Sequence, residues 1–224
     1  MIKSTGMAVR DWLFNRCVAI RSISKDEDKK IIVGFVAGTK TGIAGSSKVL
    51  FEAMKDDSQF FPYWIYQDIK GKRNFNNDIN AYYRRSFPKI GLFLKTNIWI
   101  TTHGDFGVPI DYKRYKQKRM ELWHGIPFKG FLKENRKRIS EDFNKASTVV
   151  ITSRFFKNMF SKEWSVKEGI LKDLGQPRTD ALINKNLSKE NLKEKLNIKQ
   201  KKVILYAPTH QQDDDKKKGL FPWK

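Results

Sequence analysis

From residue 30 the chain alternates short apolar runs with longer stretches in which apolar residues recur every three or four positions. KKIIVGFVAG (29–38) is a β-branched run ending at glycine, the pattern of a buried strand. A Gly/Ser loop, TKTGIAGSS, leads into a helical pattern from Lys48 to Lys55, with Val49, Leu50, Ala53 and Met54 on one face. Ser46 or Ser47 is the expected N-cap. Further strands are expected at YWIYQDI (63–69), NIWITTHG (97–104), MELWHG (120–125), STVVITS (147–153), ILKDLG (170–175) and KKVILYAPT (201–209). Helical patterns lie between most of them, for example FNNDINAYYRRS (75–86) and RFFKNMFSKEW (154–164). Strands separated by helices imply parallel crossovers, hence an α/β, doubly wound, Rossmann-type sheet.

The two ends read differently. MAVRDWLFNRCVAIR (7–21) is an amphipathic helix whose arginines border an apolar face, either an interfacial anchor or a helix docked on its own domain. Arg10, Asp11, Arg16 and Arg21 break the apolar run a signal peptide needs, and no stretch has the roughly 20 apolar residues that span a bilayer. The expected location is cytoplasmic, peripheral on the inner face of the plasma membrane. Residues 184–202 are Lys/Asn-rich, a linker with a short surface helix, after which KVILYAP begins a new element. The expected division is 1–28 as amphipathic helix, 29–183 as one Rossmann-like domain, and 184–224 as linker and opening strand of a truncated second domain.

Composition narrows the choice. Six Trp, seven Tyr and sixteen Phe supply a core and argue against disorder. The single cysteine, Cys17, excludes an internal disulfide and a cysteine-based metal cluster, and reads as a packing residue. The net charge of +21 favours polyanions: nucleic acid, anionic lipid or a phosphate-rich substrate. No RNP-type aromatic motif or zinc-finger spacing accompanies it, so no specific nucleic-acid partner is expected. Ten Lys/Arg stand against two Glu from Lys113 to Arg138, either a solvated basic face or the surround of a site.

In open parallel sheets, ligands bind beyond the carboxyl ends of the strands. All three histidines fall at such ends: His103 in ITTHGDFG, His124 in LWHGIPFK and His210 in YAPTH. Within MELWHGIPFKG (120–130) the expected strand buries Leu122 and Trp123 and releases His124. Gly125 permits a tight turn, Pro127 stiffens the loop, and Lys129 supplies a cation for a phosphate oxygen. A base and a cation on one rigid loop suit phosphoryl-type transfer; a structural histidine at a strand end fits the spacing equally well. For His103 the structural role has the larger weight, the alternative being that it lines the same cleft. The loop GTKTGIAGSSK lacks Walker A spacing and offers only a helix-N-terminus anion site. No metal site is expected.

Four motifs in order make the reading specific. Trp123–Lys129 (WHGIPFK), ITSRFFKNMFSKEW (151–164, with Ser153), LGQPRTDAL (174–182, with Arg178) and LYAPTH (205–210, with Thr209 and His210) resemble the CDP-glycerol glycerophosphotransferase family. GIAGSSKVLFEAM (42–54) is similar to the family's loop and helix before the first crossover. The likeness covers roughly residues 30–210. Gln211 stands where the family commonly has an arginine, and His210 where an aromatic is usual.

The resemblance implies a GT-B-like fold and transfer of glycerol phosphate from CDP-glycerol to an acceptor hydroxyl, with CMP released, in teichoic-acid or related cell-surface polymer synthesis. His124 matches the family's proposed general base. Gly125, Pro127, Lys129, Ser153, Arg178, Thr209, His210 and His103 are the expected substrate-side residues, with Arg178 either on a phosphate or paired with Asp180. No cofactor is expected beyond the donor substrate CDP-glycerol. The other expected partners are a polyglycerol phosphate or lipid-linked acceptor, an anionic membrane surface, and a chain completing the donor domain. Alternatives are a GT-B glycosyltransferase using a nucleotide sugar, and a non-catalytic basic domain that binds membrane or polyanions.

Overall fold

A computed structural model describes residues 30–36, 45–68, 79–125, 133–183 and 188–205. The chain divides into two compact units, residues 1–183 and 184–224. The described residues of the first hold seven strands: β1 (Ile31–Val36), β2 (Phe60–Tyr66), β3 (Ala81–Tyr83), β4 (Ile98–Thr101), β5 (Lys118–Glu121), β6 (Thr148–Ile151) and β7 (Leu171–Asp173). They form one sheet in the order β3-β2-β1-β4-β5-β6-β7, and every pairing is parallel. The order reverses between β1 and β4, which opens a crevice at their carboxyl ends. The α/β doubly wound fold expected from the alternation is the one observed.

Helices cover both faces because the strands are apolar on both. These are α1 (Gly45–Lys55), α2 (Ile90–Lys95), α3 (Lys133–Phe143), α4 (Arg154–Asn158) and α5 (Asp180–Ile183). On one face Val33, Phe35, Trp64 and Ile100 pack with Phe51 of α1. Phe35, Phe51 and Trp64 form a ring cluster with centroids 5.2–5.4 Å apart. On the other, Val36, Tyr63, Ile65 and Trp99 pack with Ile90, Phe93 and Leu94 of α2. Farther along, Val149, Ile151 and Leu171 meet Phe143 of α3 with Phe160 and Trp164. Each such side chain contributes about 1.5–3 kcal/mol by leaving water. Among the described residues, no helix is long and apolar enough to cross a membrane.

Three expectations are corrected and one, the helix expected at 154–164, is refined. Residues 81–83, read as helical, form the edge strand β3, because their backbone pairs with Trp64–Tyr66 and Tyr83 packs near Tyr66, ring centroids 5.9 Å apart. Helix α1 starts at Gly45, so Ser46 and Ser47 lie inside its first turn and are buried rather than capping it. The helix after β6 is α-helical only to Asn158 and continues as a π-turn over Met159–Glu163. Residues 201–205 are not a strand: Ile204 and Leu205 are 94% and 87% exposed, and no described residue pairs with them.

In the second unit, α6 (Lys189–Lys195) is the short surface helix expected there, with Ser188 accepting from the Asn191 amide at 3.0 Å. The amphipathic pattern at 7–21 and Cys17 lie outside the described residues.

Candidate active site

Strands β4 and β5 are neighbours, with Thr101 opposite Glu121. Their following loops therefore leave the sheet side by side, next to the crevice. His103 comes two residues after β4 and His124 three after β5. The imidazoles stack with centroids 4.3 Å apart and planes 11° from parallel. Trp123 stacks on His124 as well, at 4.4 Å and 27°. Two near-parallel rings this close cannot share one face, so His124 is held between Trp123 and His103. Trp123 is in turn edge-on to buried Phe143, at 4.9 Å.

One hydrogen bond settles the proton on His124. Its Nδ1 lies 3.0 Å from the carbonyl oxygen of Thr102. A carbonyl only accepts, so Nδ1–H donates, and in the neutral tautomer that this bond selects the lone pair is on Nε2. That is the state of a general base. Nδ1 of His103 bonds the Thr102 hydroxyl at 2.8 Å. Partial burial, and after it the neighbouring His124, hold the His103 pKa below its ordinary value. Both histidines line a cleft of about 560 Å³ whose wall includes Phe106, Trp123, Arg138, Glu141 and Lys145.

Beneath the loops lies a buried charge network. Arg119 and Glu121 are fully buried on the same side of β5. Arg119 bonds both the carboxylate and the carbonyl of Asp142 on α3, at 3.1 and 2.6 Å, and reaches Glu121 at 3.4 Å. Burial pushes the Glu121 carboxyl above its ordinary range, opposed by the Thr101 hydroxyl and then Arg119. The sequence reading missed this network. Its signal was Arg119 and Glu121 two apart at the start of the strand expected from Met120, in a parallel sheet buried on both faces, where charges must be paired.

A tight turn was expected at Gly125; the left-handed residue of this loop is Trp123, with φ +57°. Trp123 is accordingly half-buried against His124 rather than fully in the core. Gly125 joins the group at Arg178, whose Nη1 donates to the carbonyl of His124 at 3.2 Å. Arg178 thus has a use outside the two foreseen. Ser153 serves as N-cap of α4, accepting from the Phe156 amide at 3.5 Å. The structure therefore assembles His103, His124, Gly125 and Arg178, while Pro127, Lys129, Thr209 and His210 lie outside the described residues. Among the described residues, no group of three or more His, Cys, Asp or Glu is placed to hold a metal ion.

With this geometry in place, comparison with known proteins is decisive for family. The family described as CDP-Glycerol:Poly(glycerophosphate) glycerophosphotransferase matches residues 17–222, nearly the whole chain. The chain belongs to that family. Among relatives of this glycerophosphotransferase-family chain, the teichoic acid poly(glycerol phosphate) polymerase of Bacillus spizizenii is 27% identical over 195 residues, 78% of this chain and 48% of the relative. The teichoic acid glycerol-phosphate primase of Bacillus subtilis is 32% identical over 108 residues, 43% of this chain and 28% of the relative. A solved structure of the wall teichoic acid polymerase TagF, soaked with CDPG, superposes with TM-score 0.67 at 18% identity, covering 96% of this chain and 58% of that one. That likeness concerns the fold, and agrees with the GT-B-like expectation. The family chain spans about half the length of the curated polymerase it matches.

Proposed function

We propose that this chain is the acceptor-side domain of a CDP-glycerol glycerophosphotransferase, with His124 as general base. The observation that carries the reading is the His124 imidazole, tied by Nδ1 to the Thr102 carbonyl at the carboxyl end of a parallel sheet, with Nε2 left basic. The hydroxyl of a polyglycerol phosphate or lipid-linked acceptor gives its proton to Nε2 as its oxygen attacks the glycerol-bearing phosphorus of CDP-glycerol. The new O–P bond forms, the P–O bond to CMP breaks, and CMP leaves with that electron pair. The Thr102 carbonyl stabilises the imidazolium produced. In this reading Lys129 and Arg178 are the phosphate contacts, and Gly125, Pro127, Ser153, Thr209, His210 and His103 complete the substrate side.

Residues 29–183 are then the acceptor domain, 184–224 open a donor-binding domain, and the remaining donor groups come from further polypeptide. Residues 1–28 and the net charge of +21 support attachment to an anionic inner leaflet. Sedimentation with vesicles, with and without anionic lipid, tests that attachment on the full chain.

The reaction is tested by CMP release from CDP-glycerol with a glycerol phosphate-primed acceptor, wild type against His124→Ala. Loss of a general base lowers the rate by roughly 10²–10⁴-fold. An equally active His124→Ala sinks the assignment. Release from neither protein moves turnover to the longer assembly, where the same pair is compared with a donor half supplied in trans.

A further inference from the structure

We propose that Glu121 is the positioning residue that sets His103 and His124 face to face, by gripping the backbone of both histidine loops with one carboxylate. Oε2 of Glu121 accepts the amide of Gly104, the residue after His103, at 3.1 Å. Oε1 accepts the amide of Trp123, the residue before His124, at 3.0 Å. The Thr101 hydroxyl, at 2.6 Å, and Arg119 also donate to Oε2. All four partners are donors, and an ionised carboxylate is the side chain that offers acceptors alone.

Backbone strain gives this grip its purpose. Trp123 has φ +57° and Gly104 has φ +79°. Each loop takes its left-handed turn at the residue whose amide Glu121 holds. Glycine adopts that conformation without cost, but a bulky tryptophan does not, and such strain persists only where surroundings over-determine it. The turn at Trp123 brings the chain back so that His124 lies over His103. A carboxylate with side-chain exposure of 0% is itself costly, and Arg119, equally buried and anchored on Asp142, offsets its charge. An apolar residue at 121 would fill the space but leave both amides without an acceptor.

The relevance of Glu121 to catalysis rests on the function proposed above; its geometry does not, so the test reads the rings and not turnover. Glu121→Gln keeps the shape but replaces one acceptor oxygen by a donor, so one loop loses its partner. The chain has three histidines, which keeps imidazole spectra simple. In the wild type, nitrogen-15 NMR is expected to show His124 as the Nδ1–H tautomer, with ring protons shifted upfield by its two stacking partners. In Glu121→Gln that tautomer preference and those shifts are expected to be lost, with sheet amide signals and cooperative unfolding retained. A folded Glu121→Gln with His103 and His124 signals unchanged overturns the proposal.

If Glu121→Gln does not fold, hydrogen exchange in the wild type decides. The amides of Gly104 and Trp123 lie outside the strands, yet both should exchange roughly tenfold or more slowly than open loop amides. Unprotected exchange at either one overturns the clamp.

Discussion

The imidazoles of His103 and His124 stack at 4.3 Å although they belong to loops after different strands. A second positive charge at that distance would repel a charge on His103, and this adds to the effect of its partial burial. His103 is accordingly expected to titrate below 6.5, chiefly from burial and secondarily from His124. A histidine whose folded pKa is lowered contributes stability that is present above the unfolded value. That stability is lost as pH falls below about 6.5 toward the folded pKa. Urea unfolding of wild type and His103→Gln at pH 8 and pH 5 should therefore show a larger acid loss in the wild type. Equal losses would refute the coupling.

Arg178 makes one hydrogen bond to the His124 carbonyl from an exposed position. Arg178→Ala should leave stability within about 0.5 kcal/mol. Transfer in a complete system should fall about tenfold, corresponding to about 1.4 kcal/mol in the barrier. Rates and urea midpoints measured on the same preparations separate the two effects.

Arg119 is fully buried between Glu121 and Asp142. Arg119→Met leaves two carboxylates without their cation, and removing one partner of a buried ion pair costs about 3–5 kcal/mol. Denaturant unfolding should show this loss. A change below about 1 kcal/mol would mean that the network is not closed as described.

Gly34, in the middle of β1, lies under the indole of Trp99: a Cβ there would stand 2.3 Å from a ring carbon. The indole cannot yield easily, because its Nε1 donates to Gln117 at 2.7 Å, and Gln117 is tied to the carbonyls of Phe93 and Leu94. Gly34→Ala is expected to destabilise by about 3 kcal/mol, the upper end for overpacking. Thermal or urea unfolding checks it.

Much of this arrangement was legible along the chain because it depends on local pattern. The β-branched runs at 31–36 and 148–151 carry their own signal, and parallel crossovers place the residues after them at one end of the sheet. That was enough to bring His103 and His124 forward as candidates. Residues 81–83 were misread because a three-residue edge strand has too few positions to show a period, and its pairing with β2 decides it. The start of α1 was misjudged because serines also mark N-caps, while here Ser46 and Ser47 are buried in the first turn.

By itself the sequence determined the alternation that makes a parallel α/β sheet, the strand-end placement of the histidines, and the motifs that assign the family. Tertiary structure alone decided that His124 is pressed between Trp123 and His103, that its Nδ1–H donates to the Thr102 carbonyl, and that Arg178 reaches the His124 carbonyl. It also decided that a fully buried Glu121 holds both loops. The reason is physical: periodicity reports which face of an element is buried, whereas ring stacking, tautomer and carboxylate pairing depend on atoms from separate strands meeting within about 3–4 Å.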